Sequence, residues 1–492
     1  MKIKLNFENS VLLLVIMIGI FISIFQILYN RSLWLDESYL ALNIMNRSNF
    51  QLLQTLDYCQ VAPILFLQIE KIFSSLMGNS EFVFRLFPLV CYWGSIYFVY
   101  KILKILQLNL IVIILTLSLY VFNGTIIYYS SEVKQYMIDV LVITCMFYAI
   151  LKSYKSVKNK YYLLGVLGII GILLSNVSPI ILLCCGLYML YIDFKGERKE
   201  IKQIIIVSLI WFVFFIIYYL LFIYNHPTTE FMLWYWSSVG AFMPTNLFDI
   251  SFYQFLVRKY YIFYHDLFDF GWIGFYSLQM LFLLGCYNLI EKRKLSILIL
   301  SLAPIIVHLV LSSLKLYPFD LRLILYTCPA MLIIFSFGLE FAYNYITSLD
   351  RSIVRILSVP AIILFLLFNV YSKLPLEKSE LKKCLTYLKE NMDDKEKLYI
   401  SYYSGFAFKY YNETSRIGFT NDSINMGKIG NYETFMEEVN ALDGKVWFVF
   451  SDFIDINFKL LMKEQFDDKR HLLIKEFKTT GASVLYYDIK PK

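Results

Sequence analysis

Eleven apolar segments of membrane-spanning length dominate this 492-residue sequence and limit the folds open to it. A helix needs about 20 apolar residues to cross roughly 30 Å of hydrocarbon. Only 17% of the residues are charged, against about 25% in soluble domains, and 59% are hydrophobic. The apolar runs lie near 11–29, 82–100, 108–127, 135–151, 161–175, 178–193, 203–224, 271–290, 296–313, 321–341 and 354–370. The sequence therefore predicts an α-helical polytopic membrane protein with about eleven transmembrane helices.

Lysine and arginine residues cluster in every second connection between these runs. Short loops rich in these residues stay on the cytoplasmic side of a membrane. The clustered cations are Lys2, Lys4, Lys101, Lys104, Lys152, Lys155, Lys158, Lys160, Arg198, Lys199, Lys202, Lys292, Arg293, Lys294, Arg351 and Arg355. The pattern predicts a multi-pass protein of the cell (plasma or inner) membrane, with a cytoplasmic N-terminus and an extracytoplasmic C-terminal domain. It assigns the net charge of +7 to the membrane face, so no nucleic-acid partner is expected.

The first apolar run, the cysteines and two histidines are interpreted as structural features. The run at 11–29 lacks a small-residue cleavage site, so we expect a retained span and not a signal peptide. The eight cysteines show no zinc-site spacing. Only Cys59 and Cys384 fall in predicted outer regions, where a disulfide between them stays open. His226 and His265 fall in an outer loop, and the sequence requires no metal or other cofactor.

Three segments outside the apolar runs are long enough to fold. We predict a transmembrane module over residues 1–370, with outer loops at 30–81 and 225–270. Within the first loop, 38–45 and 63–76 are amphipathic and predict interfacial helices. From residue 371 charges become frequent and apolar runs shorten to strand length, which predicts a small extracytoplasmic α/β domain over 371–492. Its predicted elements are helices at 381–390, 406–411 and 458–466, strands at 397–403 and 445–450, and a hairpin across 479–481.

Two adjacent carboxylates, Asp36 and Glu37, follow the first apolar run. Ionised carboxylates are costly to desolvate at a membrane interface, so they tend to face a wet cavity or a partner. One interpretation is a general base for transfer chemistry. The other is the solvated start of a loop, which is the more common outcome for an isolated acidic pair.

Three further outer segments carry cations. Residues 128–136 form a short turn with Glu132 and Lys134, and residues 314–322 contain Lys315 and Arg322. An arginine at that depth needs an anion, and a phosphate suits its fork geometry. Arg85 opens the second run. Each also fits a plain structural role, as part of a polar turn or as a side chain that snorkels to the headgroups.

The predicted topology assigns all four polar segments to one face of the membrane. They combine carboxylates with the cations of Arg85, Lys134, Lys315 and Arg322. A general base beside a cationic cradle is what transfer from a lipid phosphate requires.

Four motifs then resemble a known family when taken in order. They are LWLDES after the first run, SEVKQY after the third, SNVSP after the fifth and YPFDLR before the tenth. Together they resemble the family 39-type glycosyltransferases, which include dolichyl-phosphate-mannose protein mannosyltransferases and bacterial aminoarabinose transferases of lipid A. The resemblance covers residues 10–370 and implies the GT-C architecture. It implies a polyprenyl-phosphate-sugar donor and inverting transfer to an extracytoplasmic glycan, lipid or protein acceptor.

The resemblance also implies roles for individual residues. Asp36 matches the family's first-loop catalytic acid, which deprotonates the acceptor hydroxyl, and Glu37 would help to position acceptor or base. The donor phosphate would be held by Lys134, Arg322, Arg85 and Lys315, and the substrate cavity would be lined by Glu132, Gln135, Tyr136 and Tyr317. The sequence departs from the family pattern at Lys134, where many relatives carry arginine, so a point charge replaces a bidentate fork.

Two other functions stay open. A transporter or flippase of lipid-linked glycans usually places ionisable residues at mid-membrane. Such residues are few here: His308 is one, and Asp139 is predicted about one turn in from the outer face. A polysaccharide polymerase or ligase would share both the compartment and the donor class.

Overall fold

The computed structural model describes residues 7–153, 160–196, 200–224, 226–348, 352–393, 396–414, 419, 424–428, 431–468 and 471–490. Some cations of the topology argument lie outside these residues, namely Lys2, Lys4, Lys155, Lys158, Arg198, Lys199 and Arg351, as does the side chain of Arg355. The described cations do not by themselves fix which side of the membrane each terminus occupies, so the orientation stays a prediction.

Helices occur along the whole length of the described chain and are numbered here in sequence order. In order they are α1 (Phe7–Leu28), α2 (Leu35–Asn46), α3 (Ile64–Met77), α4 (Glu81–Phe84), α5 (Leu86–Ile105), α6 (Leu110–Val121), α7 (Gly124–Ser130), α8 (Tyr136–Ser153), α9 (Lys160–Leu174), α10 (Ser178–Lys195), α11 (Ile201–Phe222), α12 (Thr229–Ser238), α13 (Ile250–Tyr261), α14 (Gly271–Glu291), α15 (Leu295–Ser313), α16 (Cys328–Ser348), α17 (Ser352–Tyr371), α18 (Leu381–Asn391), α19 (Tyr402–Glu413), α20 (Tyr432–Asn440) and α21 (Asp452–Asp468). The strands are β1 (Lys397–Ile400), β2 (Ile424–Met426), β3 (Gly444–Phe450), β4 (Leu472–Thr479) and β5 (Ala482–Ile489).

The chain divides into two compact units, and each is described by itself. The membrane unit comprises Met1–Gln26, Asn49–Ile69 and Arg85–Leu374. The α/β unit comprises Ile27–Ser48, Glu70–Phe84 and Pro375–Lys492. Parts of the first predicted outer loop therefore belong to the same unit as the C-terminal residues.

Ten of the eleven predicted apolar runs each correspond to one apolar helix, and the run at 108–127 corresponds to the bent pair α6 and α7. Within the described residues, eight helices are long and apolar enough to cross a membrane, or nine if α6 and α7 form one bent span. The runs at 161–175 and 354–370 correspond to the shorter apolar helices Lys160–Leu174 and Leu357–Tyr371. The predicted helical polytopic fold is confirmed.

The third apolar run is not one continuous helix, which corrects the prediction for 108–127. Helices α6 and α7 meet at an angle of 58°. Asn123 Oδ1 accepts a hydrogen bond from the Ile126 N–H at 3.0 Å and so caps the new helix. Its Nδ2 donates to the Leu267 carbonyl at 3.0 Å. An unbroken apolar run gives no signal for a bend that a tertiary hydrogen bond fixes.

Close helix packing defines the centre of the membrane unit. Helices α8 and α16 are the most buried spans, whereas α11 is largely exposed and apolar on all sides, as a lipid-facing helix should be. Glycines bring α14 and α16 together. A Cβ added at Gly285 would lie 2.1 Å from the Ile334 carbonyl oxygen, and one at Gly338 would lie 2.2 Å from that of Leu281. Small residues at such crossings are typical of membrane helix pairs.

The second predicted outer loop, 225–270, forms helices in its described residues. Helices α12 and α13 lie there, and a π-helical turn at Ile262–Asp266 follows α13. Asp249 caps α13 by accepting from the Ser251 N–H at 2.8 Å.

The α/β unit is built on a five-stranded sheet of order β2-β1-β3-β5-β4. Strands β1, β2 and β3 are parallel, and β5 pairs antiparallel with both β3 and β4. Alternate β3 residues face opposite sides of the sheet. Val446, Phe448 and Phe450 pack with α20 and α21, whereas the Trp447 ring lies 6.4 Å from that of Tyr387 in α18. The predicted small α/β fold is thus confirmed.

Local sequence patterns placed most elements of this unit, with two corrections. The strand predicted over 397–403 ends at Ile400, because α19 begins at Tyr402 and both Tyr402 and Tyr403 are helical. Strand β2 and helix α20 were not predicted, since a three-residue strand leaves almost no periodic signal. Cys59 and Cys384 are both free thiols, so the disulfide that the sequence left open is not formed.

Candidate active site

Asp36 lies in the first turn of α2. Trp34 is the N-cap, so Asp36 is the second helical residue and Glu37 the third. Carboxylates in the first turn are stabilised by the positive end of the helix dipole. The Asp36 side chain is half-buried, in contrast to Glu37, which is fully buried. Of the two adjacent carboxylates, Asp36 is therefore the one accessible to an acceptor.

Glu37 forms a buried ion pair with Arg31. Arg31 Nη1 lies 2.8 Å from Glu37 Oε2, and the two side chains are 1% and 0% exposed. Glu37 also reaches back to accept from the Trp34 N–H at 3.5 Å, the second half of a capping box. These bonds tie the extended residues before α2 to its first turn. Glu37 is thus suited to fixing the helix start and not to contact with substrate.

A second polar cluster lies in the tight turn between α7 and α8 of the membrane unit. The Lys134 ammonium donates to Gln60 Oε1 at 2.5 Å, and both side chains are buried. Glu132 and Gln135 in the same turn are buried too. Gln60 was not predicted as a site residue. The only local sign of it is the left-handed backbone of Tyr58 and Cys59 just before it, an uncommon conformation often found at functional sites.

Tyr129 connects this turn with the segment before α16. It interacts electrostatically with Glu132, Arg322 and Tyr136, and its ring centroid lies 5.4 Å from that of Tyr136. Tyr317 interacts in turn with Asp139 and Tyr136. The structure therefore brings together Glu132, Tyr136, Tyr317 and Arg322, which the sequence predicted from two separate motifs.

Arg322 lies over an aromatic ring of the second outer loop. Its guanidinium carbon is 5.0 Å from the ring centroid of Trp236 in α12. Stacking of this kind fixes the plane of a guanidinium. Nearby, Lys259 of α13 pairs with Asp320 at 3.4 Å.

Arg85 and Lys315 occupy different environments from this cluster. Arg85 is the N-cap of α5 and is fully buried. Lys315 is exposed in a left-handed conformation after α15, and among the described residues its side chain makes no hydrogen bond or ion pair. The structure thus does not place Lys315 in the Tyr129 cluster.

The histidines are bonded within their own surroundings. His308 lies against the Tyr326 hydroxyl at 3.1 Å and the Pro318 carbonyl at 3.0 Å, so both ring nitrogens are engaged. His265 contacts Asp266, and His226 contacts Thr228. Within the described part of the chain, no group of three His, Cys, Asp or Glu side chains is arranged to hold a metal ion.

The architecture is that of a helical polytopic membrane protein with a small C-terminal α/β domain. It is similar to ArnT from Cupriavidus metallidurans, whose structures in the apo state and bound to undecaprenyl phosphate each match with a TM-score of 0.55. The identity is 10%, and the match covers 96% of this chain and 97% of ArnT. No family model matches the sequence, and no curated protein does. At this identity the likeness shows a shared fold.

Proposed function

We propose that this protein is a membrane glycosyltransferase that moves a sugar from a polyprenyl-phosphate donor to an extracytoplasmic acceptor. The observation that carries the proposal is the likeness to ArnT along almost the whole chain, together with the fact that one ArnT structure holds undecaprenyl phosphate. The motif resemblance to family 39-type glycosyltransferases supports the same reaction class.

The base in this reaction is Asp36. Its carboxylate takes the proton of the acceptor hydroxyl as that oxygen attacks the anomeric carbon. The bond between that carbon and the phosphate oxygen breaks, and polyprenyl phosphate leaves with the electron pair. Attack from the opposite side inverts the anomeric configuration. Asp36 is half-buried and lies in the first turn of α2, at the positive end of the helix dipole.

The leaving phosphate gains negative charge, so the cations of the membrane unit stabilise the transition state. Lys134 is a buried ammonium that donates to the Gln60 amide oxygen, and we assign it to the phosphate as a point charge. Arg322 supplies a fork oriented by Trp236. Arg85 is fully buried, which restricts the movement of its side chain. Lys315 is exposed, which suits contact with lipid headgroups. Glu132, Gln135, Tyr136 and Tyr317 line the cavity.

Asp36→Asn tests the proposal. Loss of the base should lower kcat for sugar transfer by about 10²–10⁴-fold, because general base catalysis contributes that much. Binding of polyprenyl phosphate should not change. The matched control is Asp443→Asn, which alters an exposed carboxylate of the same unit and should transfer sugar normally. Normal transfer by Asp36→Asn would exclude Asp36 as the base.

A further inference from the structure

The residues directly before Asp36 are held by buried hydrogen bonds within the α/β unit. The Ser32 N–H donates to Glu380 Oε1 at 3.1 Å, and the Ser32 hydroxyl donates to Glu380 Oε2 at 3.3 Å. The same hydroxyl oxygen accepts from the Lys382 N–H at 3.0 Å. Ser32 and Glu380 are 1% and 2% exposed. One serine thus makes three hydrogen bonds to a segment some 350 positions away in the sequence.

The next residue is held in the same way from a different element. The Leu33 N–H donates to the Tyr411 hydroxyl at 2.8 Å, and the Tyr411 side chain is fully buried. Tyr411 belongs to α19, which packs against α2. The Tyr39 and Phe406 rings meet edge to face at 4.6 Å in that contact. Both the extended residues before α2 and the helix itself therefore rest on the C-terminal part of the unit.

Trp34 completes the set of contacts. The Lys378 ammonium lies 3.0 Å from the centroid of its indole ring, a cation–π contact. Ser32, Leu33 and Trp34 are consecutive, and each is engaged by a residue from 378–411. This set, Lys378, Glu380, Lys382 and Tyr411, is called the clamp below.

The clamp is itself fixed to the edge of the sheet. The Glu380 N–H donates to the Thr480 carbonyl at 2.7 Å, in the turn between β4 and β5. Gly481 in that turn has a φ of +62°, and a Cβ there would lie 2.1 Å from the Lys378 carbonyl oxygen. Only glycine combines that backbone conformation with that approach. The turn therefore locates the clamp, and the clamp locates the residues that lead into α2.

Burial of the Glu380 carboxylate costs desolvation free energy, which its hydrogen bonds and a nearby cation offset in part. Burial raises the pKa of Glu380, while the Lys383 ammonium 3.6 Å away and the Ser32 N–H lower it. Hydrogen bonds to a charged acceptor are about twice as strong as those between neutral groups. The Ser32 contact is accordingly among the stronger ones that could hold a loop in place.

We propose that Glu380 and Tyr411 are positioning residues, which hold Ser32 and Leu33 and thereby aim the Asp36 carboxylate at the acceptor hydroxyl. The inference rests on the proposed function, and it gives the C-terminal α/β domain a role in that reaction. A misplacement of about 1 Å by a change remote from the reacting atoms costs about 10²-fold in rate. The clamp contacts residues two to four positions before Asp36, well within range of such an effect.

The test compares Tyr411→Phe with Tyr399→Phe in the full-length protein in nanodiscs. Tyr399 is also a buried tyrosine of the α/β unit, and its hydroxyl donates to Glu438 at 2.7 Å. Its ring packs against Phe435 of α20. Loss of the Tyr411 hydroxyl leaves the Leu33 N–H buried without an acceptor, so exchange of the amides at 32–34 should accelerate about 10- to 100-fold. Tyr399→Phe should leave their exchange unchanged.

Sugar-transfer kinetics provide the second readout. Tyr411→Phe should lower kcat about 10- to 100-fold with the donor KM unchanged, since donor binding does not depend on the aim of the base. Glu380→Gln keeps one acceptor for the Ser32 N–H and loses the acceptor for its hydroxyl, so its kcat should fall between that of Tyr411→Phe and wild type. Tyr399→Phe should keep the wild-type kcat.

The two readouts separate the inference from the proposed function. If the wild-type protein transfers no sugar, the proposed function fails, while the exchange data still decide whether the clamp holds 32–34. If the wild type transfers sugar and Tyr411→Phe keeps its kcat, the clamp does not position Asp36. Equal losses in kcat and global stability for Tyr411→Phe and Tyr399→Phe would reduce the effect to general destabilisation and overturn the inference.

Discussion

Removal of the Glu37 charge should destabilise the start of α2 far more than removal of a surface carboxylate. Arg31 Nη1 lies 2.8 Å from Glu37 Oε2, and Arg31 Nη2 lies 3.4 Å from Glu37 Oε1. The side chains are 1% and 0% exposed, so Glu37→Gln removes an anionic partner from a buried guanidinium. Breaking a buried pair from one side costs about 3–5 kcal/mol, whereas an exposed pair contributes about 0–1 kcal/mol.

A double-mutant cycle measures this coupling. Glu37→Gln, Arg31→Met and the double variant are compared with wild type by hydrogen exchange of residues 35–46 in detergent micelles. The double variant should recover much of the loss, giving a coupling of about 2 kcal/mol or more. Asp443→Asn is the control, since its ion pair with Lys397 is exposed and its loss should leave the exchange of residues 35–46 unchanged. A coupling below about 0.5 kcal/mol would show that the acidic pair is a solvated turn and refute the reasoning.

Three further predictions concern other buried or charged groups. Lys134→Met should raise the donor KM about 10- to 100-fold, because it removes a charged hydrogen-bond donor. Lys134→Arg should retain donor binding, and Gln60→Ala should raise the donor KM by less than Lys134→Met does. Steady-state kinetics with a polyprenyl-phosphate sugar measures these KM values. Arg322→Lys should raise the donor KM about tenfold, because the positive charge stays but the planar guanidinium and its stacking on Trp236 are lost. An unchanged donor KM would show that Arg322 does not bind the phosphate. Glu70 is fully buried on α3, and burial raises its pKa. The folded state then holds a proton that the unfolded state releases, so stability declines as pH rises above the ordinary carboxyl range; Glu70→Gln should melt at a higher temperature than wild type at neutral pH and at a similar one in mild acid.

Much of the membrane unit could be predicted because its signal is local. Apolar runs are properties of neighbouring residues, and each predicted run except that at 108–127 corresponds to one apolar helix. The bend at Asn123 could not be predicted in this way, since it depends on a bond to the Leu267 carbonyl about 144 positions further on. The same limit explains the strand that ends at Ile400, where the neighbouring β3 and the helix after it decide the boundary.

The sequence motifs indicated candidate site residues, but they did not indicate which residues form hydrogen bonds or ion pairs with them. LWLDES pointed to Asp36 and Glu37, but nothing in the motif distinguishes the half-buried aspartate from the ion-paired glutamate. Gln60 stands in a loop with no motif of its own, and its contact with Lys134 appears only in the folded chain. Lys315, by contrast, lies in a motif with Arg322 yet is exposed after α15. Nearness in sequence was a poor guide there because the left-handed turn redirects the side chain.

The most direct measurement is the detection of free polyprenyl phosphate released in proteoliposomes that contain the purified protein, a labelled polyprenyl-phosphate sugar and a mixture of candidate acceptors. Wild-type protein should release free polyprenyl phosphate and transfer the labelled sugar to an acceptor. The Asp36→Asn variant should bind the donor lipid without releasing polyprenyl phosphate. Passage of the intact labelled donor across the bilayer, with no phosphate released by wild-type protein, would contradict the account and favour a flippase.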